Sequence, residues 1–436
     1  MLLAQVPPAL TAITAIWFIS SGRWGLVGIW VEPSVIGWNT GFADLAYVTA
    51  TADCLTQNLA LETCDPYGRP FTPYSIVPGS FLALLGMGLQ QTGALGVLLA
   101  LTWVMLIGIF STWIAARWKG TAIAFTVALL ALTITAIAPP SLLAIERGTI
   151  DIAITAVAAM GLLLFVGQPT KPRSITQLLR QVVGAVLLFF VAIVKYFAVG
   201  VFAAFTAPRR WMLVPLISAA AAAIFLLLNF SDLLIAREVS KSDLPSTTRI
   251  LFSSTTGLVT WLTEDPYAFF PAEGQSINMT GLRFIGALIV VAWVALFLTI
   301  NARTRFTRSI PQSSWPLIAG GGFILVVPYF LGDSNDYRLI GLVLPLAGIL
   351  IWLATSLGSK FLWLPVVLIV VTMLTGSSMI ANEYGFIIPK NILIIGDGAL
   401  AGVIGFIIAI WISAWLPRSR TRRVLSHEIT EGSKSH

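Results

Sequence analysis

Apolar segments of roughly 20 residues recur from one end of this chain to the other, and that recurrence constrains its fold more than any other feature. Each is long enough to cross a hydrocarbon core of about 30 Å, and in lipid a spanning segment must satisfy its own backbone hydrogen bonds. The 436 residues are 57% hydrophobic and only 10% charged. A soluble protein of this length would need far more charge to cover its surface. The reading is an all-α polytopic membrane protein. A net charge of +7 would suit nucleic acid, but the basic residues cluster in short loops between apolar segments, so no nucleic-acid partner is expected.

Apolar length and Lys/Arg placement together give a map. The first span covers residues 7–31, with Arg23 near its outer end. Met1–Gln5 carries no basic residue, so this segment is expected to remain as a membrane helix rather than be cleaved. An acidic outer loop follows at about 32–75, and residues 76–91 read as a helix dipping into the outer leaflet. Spans are expected at 95–115, 121–138, 150–167, 212–229, 283–300, 315–331, 338–356, 361–380 and 393–416. Between the basic loops "QPTKPRSITQLLRQ" and "PRRW", a pair of short helices hinged near Lys195 is expected, because two loops on one side require an even number of crossings. A second outer loop lies at about 230–281. The basic segment 417–436 is an inner tail. About 12 spans result, both termini are cytoplasmic, and of the 19 Asp and Glu only Glu428 and Glu431 fall inside. A bacterial plasma membrane is the expected location.

Cys54 and Cys64 are the only cysteines and share the first outer loop, so a disulfide is expected there. Two free thiols are the alternative. Neither a zinc ligand set nor a D-x-D motif occurs in the outer loops, so no metal or other cofactor is expected.

Charges at bilayer depth cost about 2.5–3.5 kcal/mol each on insertion scales and tend to mark sites. "SLLAIERGTID" (141–151) places Glu146, Arg147 and Asp151 where an inward helix begins. The two acids suit a helix N-terminus and Arg147 does not. Arg147 therefore either pairs with Glu146 or Asp151, or holds an anionic headgroup. Lys195 lies in the apolar run "IVKYF", and Arg338 in "SNDYRLIGLVLPL" begins another inward helix. Three cations at the outer mouths of three spans suit a lipid-borne phosphate. Pairing of Arg338 with Asp333 or Asp336 is the plainer alternative.

"ERGTID", "VKYFAVGVFAAFTAPRRW" and "DYRLIGLVLPL" resemble the family 87 membrane glycosyltransferases, which include polyprenyl-phosphomannose-dependent mannosyltransferases of cell-envelope glycolipid synthesis. Phe197 stands where that family usually has Pro. The first outer loop, "GFADLAYVTATA…CDPYGRPFTPYS", is similar to the family's D-x-x-x-Y followed by a D-P-Y element. The resemblance implies a GT-C-type helical bundle (residues 1–416), a polyprenyl-phosphate sugar donor, a lipid or glycan acceptor, and chemistry at the extracytoplasmic face. It assigns the general base to Asp44, with Asp53 and Asp65 as competitors. Arg147, Lys195 and Arg338 would hold the donor phosphate, supported by Glu146, Asp151, Tyr337 and Asp65. Trp30, Trp38, Tyr47, Tyr67 and Tyr74 either stack on sugars or form an interfacial belt. The rivals are a transporter or flippase of lipid-linked sugars and a surface-polysaccharide polymerase. A transporter should carry broken helices or inverted repeats, and the sequence displays no convincing repeat.

Overall fold

The computed structural model describes residues 2–20, 42–59, 76–170, 172, 174–207, 212–230, 279–305, 307, 310–331, 336–355, 360–376 and 390–416. The regular structure among these residues is all helical, with no strand among them. In chain order the α-helices are α1 (Val6–Ser20), α2 (Ala43–Thr56), α3 (Ile76–Leu84), α4 (Thr92–Arg117), α5 (Ala122–Ile137), α6 (Pro139–Arg147) and α7 (Ile150–Leu164). They continue with α8 (Ile175–Val194), α9 (Leu213–Leu228), α10 (Met279–Thr304), α11 (Gly322–Leu331), α12 (Val343–Thr355), α13 (Trp363–Thr375) and α14 (Lys390–Trp415).

Six helical stretches are long and apolar enough to cross a membrane, and six further apolar helices of 10–17 residues accompany them. This is the architecture of a helical membrane protein. The helix α12 lies at its centre, with nearly every residue buried. Around it, α1 packs on α4 and α5, α7 on α8, α8 on α9, and α14 on both α10 and α13. Close approach at the centre needs small residues, since lipid supplies no hydrophobic drive between helices. Gly321 meets this need: a Cβ there would collide with Leu344 of α12.

Several elements differ from the expected map. Within the segment expected as the first outer loop lies the helix α2, which carries Asp44 and Asp53. Residues 138–149, expected as a connection, contain α6, which opens on Pro139 and Pro140 at its first turn, where their missing N–H groups cost nothing. The expected pair of short helices is instead the 20-residue α8 followed by a 3-10 helix, Tyr196–Phe205. Its start is set by Ser174, whose hydroxyl accepts a hydrogen bond from the Gln177 N–H at 3.2 Å, so α8 rises out of the segment read as a basic loop. The hinge does fall at Lys195, whose backbone is extended. The segment 315–331 is also broken, a π turn (Pro316–Gly321) leading into α11. A second 3-10 stretch, Asp336–Leu342, precedes α12. Most of the segment expected as the second outer loop (230–281) and the tail 417–436 lie outside the described residues.

Candidate functional site

The motif "ERGTID" is a corner between two helices. Gly148 adopts the left-handed conformation (φ 60°) that favours glycine and ends α6. Its N–H donates to the Ile145 carbonyl at 3.1 Å, and the Thr149 N–H donates to the Ala144 carbonyl at 3.0 Å. This pair of bonds satisfies carbonyls that the helix end would otherwise leave orphaned. Thr149 then opens α7.

The corner reverses one expectation. Glu146 and Arg147 sit in the last turn of α6, with only Asp151 in the first turn of α7. Arg147 is therefore the residue whose charge suits its helix end, and Glu146 the one that does not.

The start of α2 docks on this corner. Phe42, in the left-handed region at φ 64°, precedes α2 and has no side-chain cap. Its backbone N–H donates to the Glu146 carbonyl at 2.7 Å, so one helix's orphan donor meets another's orphan acceptor. That contact aligns the first turn of α2 with Arg147. Arg147 donates from Nε (3.0 Å) and Nη2 (2.7 Å) to Oδ1 of Asp44, a residue 103 positions away in the chain. The ion-pair partner of Arg147 is thus Asp44, a residue not among the expected partners Glu146 and Asp151. Both side chains are largely removed from solvent, at 16% and 5% exposure. The other oxygen of Asp44, Oδ2, is buried with no hydrogen-bond partner among the described residues, as is Oε2 of Glu146.

A second ion pair lies close by. Lys195, at the C-terminal end of α8, donates from Nζ to Oδ2 of Asp151 at 2.6 Å. The Phe197 ring is shared by two cations, with Lys195 Nζ 5.6 Å and Arg338 Cζ 4.9 Å from its centroid. Cations in this range are attracted to the negative face of the ring. The position where the resembled family carries Pro therefore holds an aromatic platform, and the helix breaks beside it without proline. Arg338 arrives on the 3-10 stretch Asp336–Leu342, which packs on α6 and α7. The charges of Asp44, Glu146 and Arg147 act on one another, and those of Asp151, Arg338 and Asp44 act on Lys195.

Six residues singled out from sequence thus come together: Asp44, Glu146, Arg147, Asp151, Lys195 and Arg338. Asp65, Cys64, Trp30, Trp38, Tyr67 and Tyr74 lie outside the described residues, as do the side chains of Tyr337 and Asp336, and Asp333. Cys54 is disulfide-bonded. Asp53, also on α2, accepts the Leu89 N–H on its Oδ2 at 2.9 Å, tying α2 to the turn before α4. Tyr47 is buried in α2 at 3% exposure, so it is no interfacial residue.

Sequence reasoning missed Phe42, whose role depends on backbone conformation, and a separate buried pair. Asp397, at 1% exposure in α14, exerts its charge on Tyr329 of α11, itself 2% exposed. Among the described residues no group of three or more His, Cys, Asp or Glu is placed to hold a metal ion. Comparison of the chain with known protein families, curated proteins and solved structures finds no match.

Proposed function

We propose that this protein is a GT-C-type glycosyltransferase with about 12 spans, which moves a sugar, such as mannose, from a polyprenyl-phosphate donor to a lipid or glycan acceptor at the extracytoplasmic face. The observation that supports the reading is the Asp44–Arg147 contact, which joins the two residues to which the resemblance would assign the roles of base and phosphate-binding cation. Oδ1 is held by Arg147, while Oδ2 is left for a new proton. The acceptor O–H would give its proton to Oδ2 as its oxygen forms a bond to the sugar C1. The C1–O bond to the phosphate breaks, and its electron pair leaves with the phosphate. Arg147, Lys195 and Arg338 are the groups that would stabilise the charge developing there. A lipid monophosphate carries less charge than a nucleotide diphosphate, so side-chain cations suffice on this reading.

A second reading has a specific observation in its favour. Two breaks from α-helix, at Lys195 and over Asp336–Leu342, lie beside the charges, and discontinuous helices at a polar site are a feature of transporters. The same cations would then hold a lipid-linked sugar during its passage without chemistry.

The test is purified protein assayed separately for donor binding and for sugar transfer against a panel of polyprenyl-phosphate sugars. Asp44→Asn should lower kcat by about 10²–10⁴-fold, the usual contribution of a general base, with donor binding retained. Arg147→Ala should weaken both. Wild-type transfer rates in Asp44→Asn would remove Asp44 as the base. If wild-type protein transfers no sugar but moves a lipid-linked sugar across proteoliposomes, the transporter reading takes its place.

A further inference from the structure

Away from the charged cluster, α1 and α4 leave an open groove of about 690 Å³, lined by residues including Gln5, Pro8, Val104, Gly108, Trp113 and Ala116. Its floor is where Pro8 of α1 reaches Gly108 of α4, within 3.6 Å of where a Cβ would stand. From Val104 to Ala116, 12 residues along α4, the groove runs about 18 Å. One leaflet of a bilayer contributes about 15 Å of hydrocarbon, so the groove has the length of one acyl chain lying parallel to the helix.

One end of this groove is marked as the membrane–water interface. Trp113 and Trp118 lie there, as aromatic residues do at headgroup level, followed by the exposed Lys119. Arg117 is stacked on the Trp113 ring, its Cζ 4.8 Å from the centroid. No carboxylate among the described residues pairs with it; the ion pairs there are Asp44–Arg147 and Asp151–Lys195. A fixed cation at headgroup depth above an apolar channel of acyl-chain length complements one kind of membrane molecule.

We propose that this groove binds an anionic glycerophospholipid, with one acyl chain along α4 and its phosphate at Arg117. The inference is independent of sugar transfer, since none of these residues belongs to the charged cluster. The full-length protein, stripped of lipid in detergent, is titrated with phosphatidylglycerol or with phosphatidylcholine of the same acyl chains, and bound lipid is counted by native mass spectrometry. Phosphatidylglycerol should be retained about fivefold over phosphatidylcholine, the increment expected from one cation at the surface. Arg117→Gln should erase that preference. Thr112→Trp, which places a ring in the groove from the exposed face of α4, should lower retention of both lipids, and Ala116→Leu is the milder variant if the Trp protein folds poorly. Equal retention of both lipids by wild type, or a preference that survives Arg117→Gln, would overturn the proposal. Binding of a polyprenyl phosphate at Arg117 to the exclusion of phosphatidylglycerol would overturn it as well.

Discussion

On the proposed function, Asp44 and Arg147 act through a contact that also ties α2 to α6, so the catalytic and structural roles have to be separated by measurement. Removing one partner from a buried ion pair leaves an uncompensated charge and costs about 3–5 kcal/mol, whereas removing both costs far less. Arg147→Met and Asp44→Leu should therefore each lower the melting temperature. The double variant should lose less than the sum, by a coupling of about 0.5–3 kcal/mol. Thermal unfolding of the four proteins in one detergent measures this, and additive losses would mean that the pair contributes nothing to the fold. On the proposed function the double variant regains stability and stays inactive, which a purely structural pair would not predict. Lys195 and the charges of "ERGTID" stand out in sequence because they interrupt apolar stretches, whereas Asp44 stands out only through the family resemblance. Their pairing does not, because Asp44 and Arg147 are 103 residues apart and only the docking of α2 on α6 brings them together.

At the scale of elements, one geometric rule accounts for both ion pairs. Asp44 and Asp151 each lie in the first turn of a helix, α2 and α7. Their partners each lie at a helix C-terminal end, Arg147 on α6 and Lys195 on α8. Every one of these four charges is favoured by the dipole of its own helix, by about 0.3–1 kcal/mol, before it gains anything from its partner. This part was legible in principle: a glycine following charged residues, then Thr and an acid, is a helix stop and a helix start. The nine residues of α6 are too few to stand out in sequence as a helix separate from α5, so by sequence Glu146 looks like part of the start of α7. Gly148 is the residue on which the corner depends. Gly148→Ala forces a non-glycine residue into the left-handed region, at about 1–2 kcal/mol, and sets a Cβ 3.0 Å from that of Phe42. Gly167→Ala is the control, since Gly167 is also left-handed (φ 71°) but has open space around it. Both variants should lower the melting temperature. Gly148→Ala should lower it further and also reduce activity, because the Phe42 contact that aims Asp44 at Arg147 is displaced. Equal effects of the two substitutions would show that the corner does not position the pair.

On the scale of the whole molecule, hydropathy alone located nearly every long helix, because a segment that must satisfy its own backbone hydrogen bonds in lipid has few ways to be built. What hydropathy does not encode is where a helix changes type. Tyr196–Phe205 and Pro316–Gly321 are as apolar as their neighbours, yet they leave the α-helical ladder, as does the charged stretch Asp336–Leu342. Asp397 is hidden for a related reason: it lies near the start of the expected span 393–416, where nothing in the hydropathy shows that it is buried beside Tyr329 of α11. The orientation of the bundle rests on charge asymmetry, and α4 offers a direct test of it. Its 26 residues rise about 39 Å, more than the hydrocarbon thickness. At its N-terminal end Thr92 shares a 2.7 Å hydrogen bond with Thr49 of α2, and at the other end the chain turns through Lys119 and Gly120. In a background with Cys54 and Cys64 replaced, single cysteines at Asn58 and Gly120 should therefore label from opposite faces of intact cells or oriented vesicles. Positive-inside placement puts Asn58 outside and Gly120 inside. Labelling of both from one side would mean that α4 does not cross. The reverse orientation would place Asp44 and Arg147 on the inner face, where a sugar nucleotide rather than a polyprenyl phosphate would be the donor at hand.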